Sequence, residues 1–483
     1  MLIDRVDGGG STRRSGGVIY AGGGTRVQER AGVRDDPDNM LAYLRLECEG
    51  AVDDETLRAF CEQSVGNLAW LENRVGVPFG ALTGEHGLFQ GKTSYPPSWT
   101  TLYASGNESA APFREHARPA ARGHRPLGDH LTGNILFGAL ERAVESHPNI
   151  TVWLHARADA VRMSPDGKRC TGLAVRALPA AADVRSLHVM LHMVGSAGPM
   201  FDAKRQIDRQ CLLVERQMFA ELGEPVELVA RRGVVLACGG FFFNLEAVQE
   251  HAPAYTGCMP LGNLGDDGAA LELGAAVGAR FENLERCSAW KFINPPTAFP
   301  RGVLVDEHGR RVANEDLYGA SLADVLVQRH GGRGWLILDQ AMWDDANAEC
   351  TSTASALHPD QRDQGLANLM FNRETAVGVE ALAAAIGATG PRAALAETLR
   401  EYNVDARQGR DRAFGKAAQF IAPLALDGPL FAIRMDVAGT RFWPTPCMSL
   451  GGIAVAAASG AVLSAAPGRP SLMGLYAAGR AAS

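Results

Sequence analysis

The chain has 483 residues, of which 46% are hydrophobic, 21% charged and 7% aromatic. That composition is globular and long enough for about two or three domains with a large core; it excludes a disordered chain, a collagen-like repeat and a disulfide-stapled miniprotein. Against 47 basic side chains stand 54 acidic ones, a net charge of -7 that gives no global electrostatic basis for holding nucleic acid or an anionic membrane. Glycine is in excess, 55 of 483 residues or about 11% against a usual value of roughly 7%.

Taken in chain order, Met1 to Asp7 carries Asp4, Arg5 and Asp7 and no apolar stretch, so it does not read as a signal peptide. Glycines then crowd the next stretch: Gly8-Gly9-Gly10-Ser11-Thr12, Ser15-Gly16-Gly17 and Gly22-Gly23-Gly24-Thr25. Asp36-Pro37-Asp38 predicts a helix start, with proline early and acids in the first turn, and Met40, Leu41, Leu44 and Leu46 follow at helical spacing. A second helix is expected from Asp53 to Leu71, ended by Gly76-Val77-Pro78-Phe79. Residues 80–130 read as loops and 131–145 as a helix. Strands are expected at 150–156, 158–163 and 170–177, the last two joined by a Pro165-Asp166-Gly167 turn. Residues 178–229 show no clear pattern beyond a helix around Ile207 to Leu222 and read as an insertion.

Gly233 to Phe241 is a continuous apolar run entering Gly239-Gly240, the pattern of a parallel strand buried on both faces. Gly265-Asp266-Asp267-Gly268 then opens a small-faced helix. From about 285 to 425 the pattern changes: strands at 302–306 and 334–339, then an alanine-rich helical stretch from Thr375 to Tyr402, read as a separate inserted domain. The tail returns to glycine-rich strands at 449–455, 460–463 and 474–479. Phe442 to Gly468 is uncharged and long enough to span a bilayer, but Pro444, Pro446, Pro467 and four glycines make it a buried strand-turn-strand. The nine cysteines are odd in number and lack a CxxC pair, so they read as reduced, mostly buried thiols of a cytoplasmic protein. With no HExxH-like cluster either, no metal is expected.

Any one glycine pair at a strand end can be a tight turn. Glycine there also lets backbone amides approach a phosphate or a ring. Three such elements, at the start, middle and end of the chain, point to one nucleotide site assembled from distant segments. Other features have plainer readings. Gly87 to Thr93 is one residue short of a P-loop and follows no strand. His124, between Arg122 and Arg125, reads as a structural loop residue ahead of a base; Tyr95 and Tyr103 read as packed loop aromatics or as pocket lining.

Gly9-Gly10-Ser11-Thr12 with Ser15-Gly16-Gly17, Val234 to Phe241 with Asn244, and Gly474-Leu475-Tyr476-Ala477-Ala478-Gly479 occur in an order and spacing that resemble the fumarate reductase / 3-ketosteroid dehydrogenase class of FAD-dependent oxidoreductases. Gly451-Gly452 and Gly302 to Asp316 fit the same pattern. Tyr20 to Thr25, Tyr103 to Glu108 and Asn314-Glu315-Asp316-Leu317-Tyr318-Gly319 look more like the 3-ketosteroid dehydrogenases, the Δ4-(5α) type nearer than the Δ1 type. The resemblance implies an α/β fold: a doubly wound, Rossmann-like FAD-binding domain over 1–284 and 428–483, with an inserted α+β catalytic domain at 285–427. It implies FAD contacts from Gly9, Gly10, Ser11, Thr12, Ser15, Gly16, Gly17, Ala160, Val161, Ala237, Gly239, Gly240, Asn244, Gly451, Gly452 and Gly479, and catalytic roles for Tyr318 and Tyr103.

The expected reaction is dehydrogenation of a C–C bond beside the ketone of a small, hydrophobic, steroid-like substrate, with electrons passed on to an acceptor that the sequence does not identify. A fumarate reductase-type activity is the alternative. Against it, Tyr318-Gly319 stand where that branch carries a proton-donating arginine, and Cys447 to Leu450 stand where it carries a dicarboxylate-clamping histidine. No GxGxxG occurs in the chain. The resemblance places that turn before Met1 and a further helix after Gly479-Arg480, so the chain is expected to lack both edges of the cofactor domain. A non-catalytic fragment unable to hold FAD is the other alternative.

Overall fold

The protein, described here from a computed structural model, is a mixed α/β chain defined over residues 1–80, 88–92, 96, 98–196, 203–352, 357–388, 392–439 and 443–483. Contacts divide it into two compact units. Met1–Arg14, Leu140–Ser288 and Pro446–Ser483 form the first; Ser15–Ala139 and Ala289–Thr445 form the second. Residues 15–139, expected inside the cofactor domain, therefore group with the inserted region. The cause is side-chain bonding over long sequence separations: Asn107 hydrogen-bonds to Tyr318 and Ser321 across more than 200 residues.

In the first unit the apolar run forms strand Val234–Leu236, which pairs in parallel with Ser471–Ala477; the latter pairs antiparallel with Ala461–Leu463. Val161, Val234, Leu236, Leu273, Ile453, Val462 and Leu475 close one core around this sheet, so the tail is buried strand, as its sequence suggests. Strands Ala156–Met163, Cys170–Ala177 and Glu224–Val229 make an antiparallel meander. Between the last two lies a helix pair, Ala182–Gly195 and Ala203–Leu222. The second of these contains the expected 207–222 helix, so 178–229 is ordered structure over its described residues.

In the second unit Asp36 and Asp53 accept hydrogen bonds from Asn39 N–H and Thr56 N–H, capping helices Pro37–Glu47 and Asp54–Trp70. Their apolar faces meet Phe113 and Ala117 in a core containing Met40, Leu41, Tyr43, Leu57 and Cys61. A four-stranded antiparallel sheet follows the order Val303–Val305, Trp335–Asp339, Pro429–Arg434, Arg373–Val377. The sequence run from Thr375 to Tyr402 thus opens as an edge strand. Gly378, with φ of 83°, then turns the chain into helices Val379–Ala385 and Arg392–Ala406. Helical composition loses here to cross-strand pairing with Pro429–Arg434. Among the described residues no helix is long and apolar enough to cross a membrane.

Candidate functional site

The parallel strands Val234–Leu236 and Ser471–Ala477 end side by side, with Leu236 opposite Ala477 and the Ala478 N–H donating to Leu236 O at 3.0 Å. Just beyond, Ala237, Ala478 and Gly479 are exposed. Open α/β sheets bind ligands outside the carboxyl ends of their parallel strands, which is this edge. Gly479 has φ of 62° and nothing within 4 Å of where a Cβ would stand, so its backbone faces open space.

Below the edge, Asp266 gathers the other segments of the same unit. It accepts hydrogen bonds from Ser11 Oγ (2.9 Å), Arg480 Nη2 (2.5 Å), Gly240 N–H (3.2 Å) and Asn263 N–H (3.3 Å). Ser11 Oγ in turn accepts from Asn263 Nδ2 and Arg480 Nη2. The Arg480 Nη1 atom is buried and has no hydrogen-bond partner. A guanidinium N–H left over beside an open glycine backbone matches the donor set that a phosphate-containing cofactor needs.

The sequence-predicted residues fall into groups around this edge. Ser11, Gly239, Gly240 and Gly479 come together at it. Gly239 and Gly240 are glycine because a Cβ would lie 2.1 Å from Asp266 Oδ1 or 2.3 Å from Ser449 Oγ. Gly451 and Gly452 are filled by protein: a Cβ would meet Asn283 O at 2.0 Å or Ala481 O at 2.7 Å. Asn244 caps helix Leu245–His251, its side chain accepting from Ala247 N–H. Val161 is in the core, and Ala160 sits in the ladder opposite Ala174. Gly9 is buried, whereas Gly10 and Thr12 are exposed on the Gly10–Arg14 turn of helix. Ser15, Gly16 and Gly17 lie in the second unit, where Gly16 O accepts from Thr132 Oγ1 at 3.1 Å and a Gly17 Cβ would come within 2.6 Å of Thr132.

The second unit carries the two tyrosines. Tyr318 is the N-cap of helix Gly319–His330 and half-buried, its ring edge-on to Phe292 at 5.3 Å, with Trp290 next in line at 5.7 Å. Asn107 clamps this end. Its Oδ1 accepts from Tyr318 N–H at 2.6 Å, its Nδ2 donates to Ser321 Oγ and Glu47 Oε2, and its N–H donates to Tyr43 OH. Tyr103 is only 3% exposed, on strand Leu102–Ala104. Burial, then the nearby Glu108 carboxylate, holds the phenols of Tyr20 and Tyr43 well above their ordinary range, so neither is a proton acceptor near neutrality.

His124 is a structural residue: fully buried, it bonds Thr25 Oγ1 at 2.8 Å and Arg122 O at 2.9 Å, and burial pushes its pKa down to about 4. Arg122 forms a bidentate pair with Asp35 at 2.8 Å. Tyr95 and part of Gly87 to Thr93 lie outside the described residues. The sequence reading missed Asp266, Asn263, Ser449 and Arg480; the acidic pair in Gly265 to Gly268 was the available signal. His188, His192 and Glu215, which the sequence reading does not single out, come together on the helix pair of the first unit.

With this geometry in hand, the class is defined: the family model for the FAD binding domain matches residues 1–483, and the chain belongs to that family. FAD is the cofactor, and the chain is an FAD-dependent oxidoreductase related to the 3-ketosteroid dehydrogenases, a class acting on CH–CH bonds. It is 31% identical over 484 residues to the 3-oxo-5-alpha-steroid 4-dehydrogenase of Comamonas testosteroni, spanning 99% of this chain and 87% of that protein. A 3-oxosteroid 1-dehydrogenase of Mycobacterium tuberculosis is 24% identical over 83% of this chain and 73% of its own length. Among solved structures, the 3-ketosteroid-Δ4-(5α)-dehydrogenase of Rhodococcus jostii in complex with 4-androstene-3,17-dione superposes with a TM-score of 0.77 at 27% identity, covering 100% of this chain and 85% of that one.

Proposed function

We propose that this chain dehydrogenates a C–C bond adjacent to a ketone in a 3-ketosteroid-like substrate, with Tyr318 handling the proton. The observation that carries the reading is Tyr318 itself: a half-buried phenol against Phe292, which in turn packs on Trp290, its backbone fixed by the Asn107 clamp. Aromatic rings suit a flat apolar skeleton, and a fixed phenol suits either removal of the α-proton or orientation of the carbonyl that acidifies it. Tyr103, nearly inaccessible on its strand, is the second hydroxyl in this proposal. Ser11, Gly239-Gly240, Gly479 and Arg480 would hold FAD at the open strand edge, the spare Arg480 N–H facing its phosphates. When bound, FAD supplies the acceptor for the hydride that leaves the β-carbon. The 31% identity to a protein named as a steroid 4-dehydrogenase supports this assignment.

Anaerobic mixing of the flavin-loaded protein with a 5α-reduced 3-ketosteroid should bleach the flavin band, and succinate should not. Tyr318→Phe should keep the flavin but slow the bleaching by about 10²- to 10⁴-fold, the usual worth of a positioned acid or base. Bleaching by succinate alone, or a Tyr318→Phe protein as fast as the wild type, would sink the reading.

A further inference from the structure

A second polar centre lies in the first unit, on the helix pair Ala182–Gly195 and Ala203–Leu222. His188 and His192 are spaced i,i+4 on one helix, so their rings share a face, and that face meets Glu215 of the other helix. Both Nε2 atoms approach the same carboxylate oxygen, Glu215 Oε1, at 2.8 and 2.7 Å. The three side chains are 0%, 8% and 1% exposed. Arg5 Nε is also 3.3 Å from that oxygen, with its guanidinium paired to Asp267 at 2.8 Å. Two imidazole nitrogens thus converge on one carboxylate oxygen, with the Arg5 charge close by, so three potential metal-ligand atoms meet at one buried point.

We propose that His188 Nε2, His192 Nε2 and a Glu215 oxygen bind a single divalent cation of the zinc class, which fastens the two helices together. Two imidazoles and one carboxylate are a donor set that borderline transition-metal ions prefer, and hard cations such as Ca²⁺ and Mg²⁺ do not. Bonds of about 2.0–2.2 Å in tetrahedral geometry need each histidine nitrogen only about half an ångström further from the Glu215 oxygen than it stands, and the three ligand atoms already lie within 4.8 Å of one another. The outer contacts also suit a ligated histidine. With Nε2 on the cation, His188 carries its proton on Nδ1 and donates it to His155 Nδ1, 3.0 Å away; such a bond orients most metal-bound histidines. Arg5 does not repel the ion unopposed, because Asp267 balances its charge. The burial of all three ligands favours a structural role, with a water completing the tetrahedron as the fourth ligand. The proposal is independent of the flavin reading.

The test is Zn²⁺ competition against a chromophoric chelator, using the full chain after chelator stripping. About one equivalent should bind with a Kd of roughly 1 μM or tighter. Glu215→Gln, which keeps the side-chain shape, and His192→Ala should each weaken binding at least about 100-fold. His155→Phe, which removes only the outer hydrogen bond, should weaken it about 10- to 100-fold. Added Zn²⁺ should raise the melting temperature of the wild type and leave that of Glu215→Gln unchanged. Absence of uptake at micromolar Zn²⁺ by stripped wild-type protein overturns the proposal. So does a Glu215→Gln protein that binds as the wild type does. The wild-type titration decides the matter even if His192→Ala does not fold.

Discussion

Both units bury ion pairs, as Arg5 does with Glu215 and Asp267 in the first, but their candidate sites are built differently. Around Asp266 the first unit combines two backbone N–H groups with the Ser11 and Arg480 side chains and leaves Gly479 facing open space. The second unit buries whole charges. Glu315 is paired with Arg311 at 2.7 Å and Lys416 at 3.0 Å, Arg311 reaches Asp411 at 2.6 Å, and Lys416 also donates to Gly302 O. Burial alone would raise the Glu315 pKa, but the two cations hold its carboxyl below the usual carboxylate range. Where a ligand must enter, some backbone has to stay open, whereas a network that only holds a scaffold can satisfy its donors internally.

This contrast breaks most sharply at Glu315. Glu315→Leu leaves buried Lys416 without its paired carboxylate and Arg311 with Asp411 alone, and should destabilise the protein by about 3–5 kcal/mol in urea unfolding. The next largest effect is acidification. His124 stays neutral in the fold down to about pH 4, while in the unfolded chain it protonates near 6.5. Below pH 6.5 the unfolded state therefore gains the proton first, and stability falls by up to about 3 kcal/mol as the pH approaches 4. Above 6.5 the group contributes no pH dependence. Melting temperatures of His124→Gln should show a shallower acid limb than the wild type over that window.

In the first unit, Gly451→Ala drives a Cβ into the Asn283 backbone carbonyl. It should cost about 1–3 kcal/mol, the range of an overpacked core, and lower the flavin content of the purified protein. Ser11→Ala should be the mildest. Removing one hydroxyl from the Asp266 centre costs about 1 kcal/mol, and flavin affinity measured by fluorescence titration should fall only a few-fold. A large stability loss in Ser11→Ala would show that this unit, too, relies on side-chain networks.

Much of the architecture was legible. Helix starts at Asp36 and Asp53, the parallel strand before Gly239-Gly240 and the glycine strand at the C-terminal end all follow from local chemistry and are present, although the first strand is buried on one face only, with Val235 61% exposed. Of the candidate site the sequence offers glycines, several of which are glycine because Asp266, Ser449 or Asn283 needs the room. The unit boundary was not legible, because nothing local says that residues 15–139 bond to Tyr318 through Asn107. The i,i+4 histidines were a visible signal, but their partner Glu215 lies 23 residues beyond His192 on another helix.

The sequence by itself determined the class of protein: a glycine excess placed at strand ends, in the order that an FAD-binding oxidoreductase requires. Only the tertiary structure decided which of those glycines face open space and which face protein, and what surrounds each candidate side chain. Backbone permissiveness is a property of the residue, read wherever glycine appears. Close approach is a property of pairs, and Gly240 meets Ser449 only once the chain has folded.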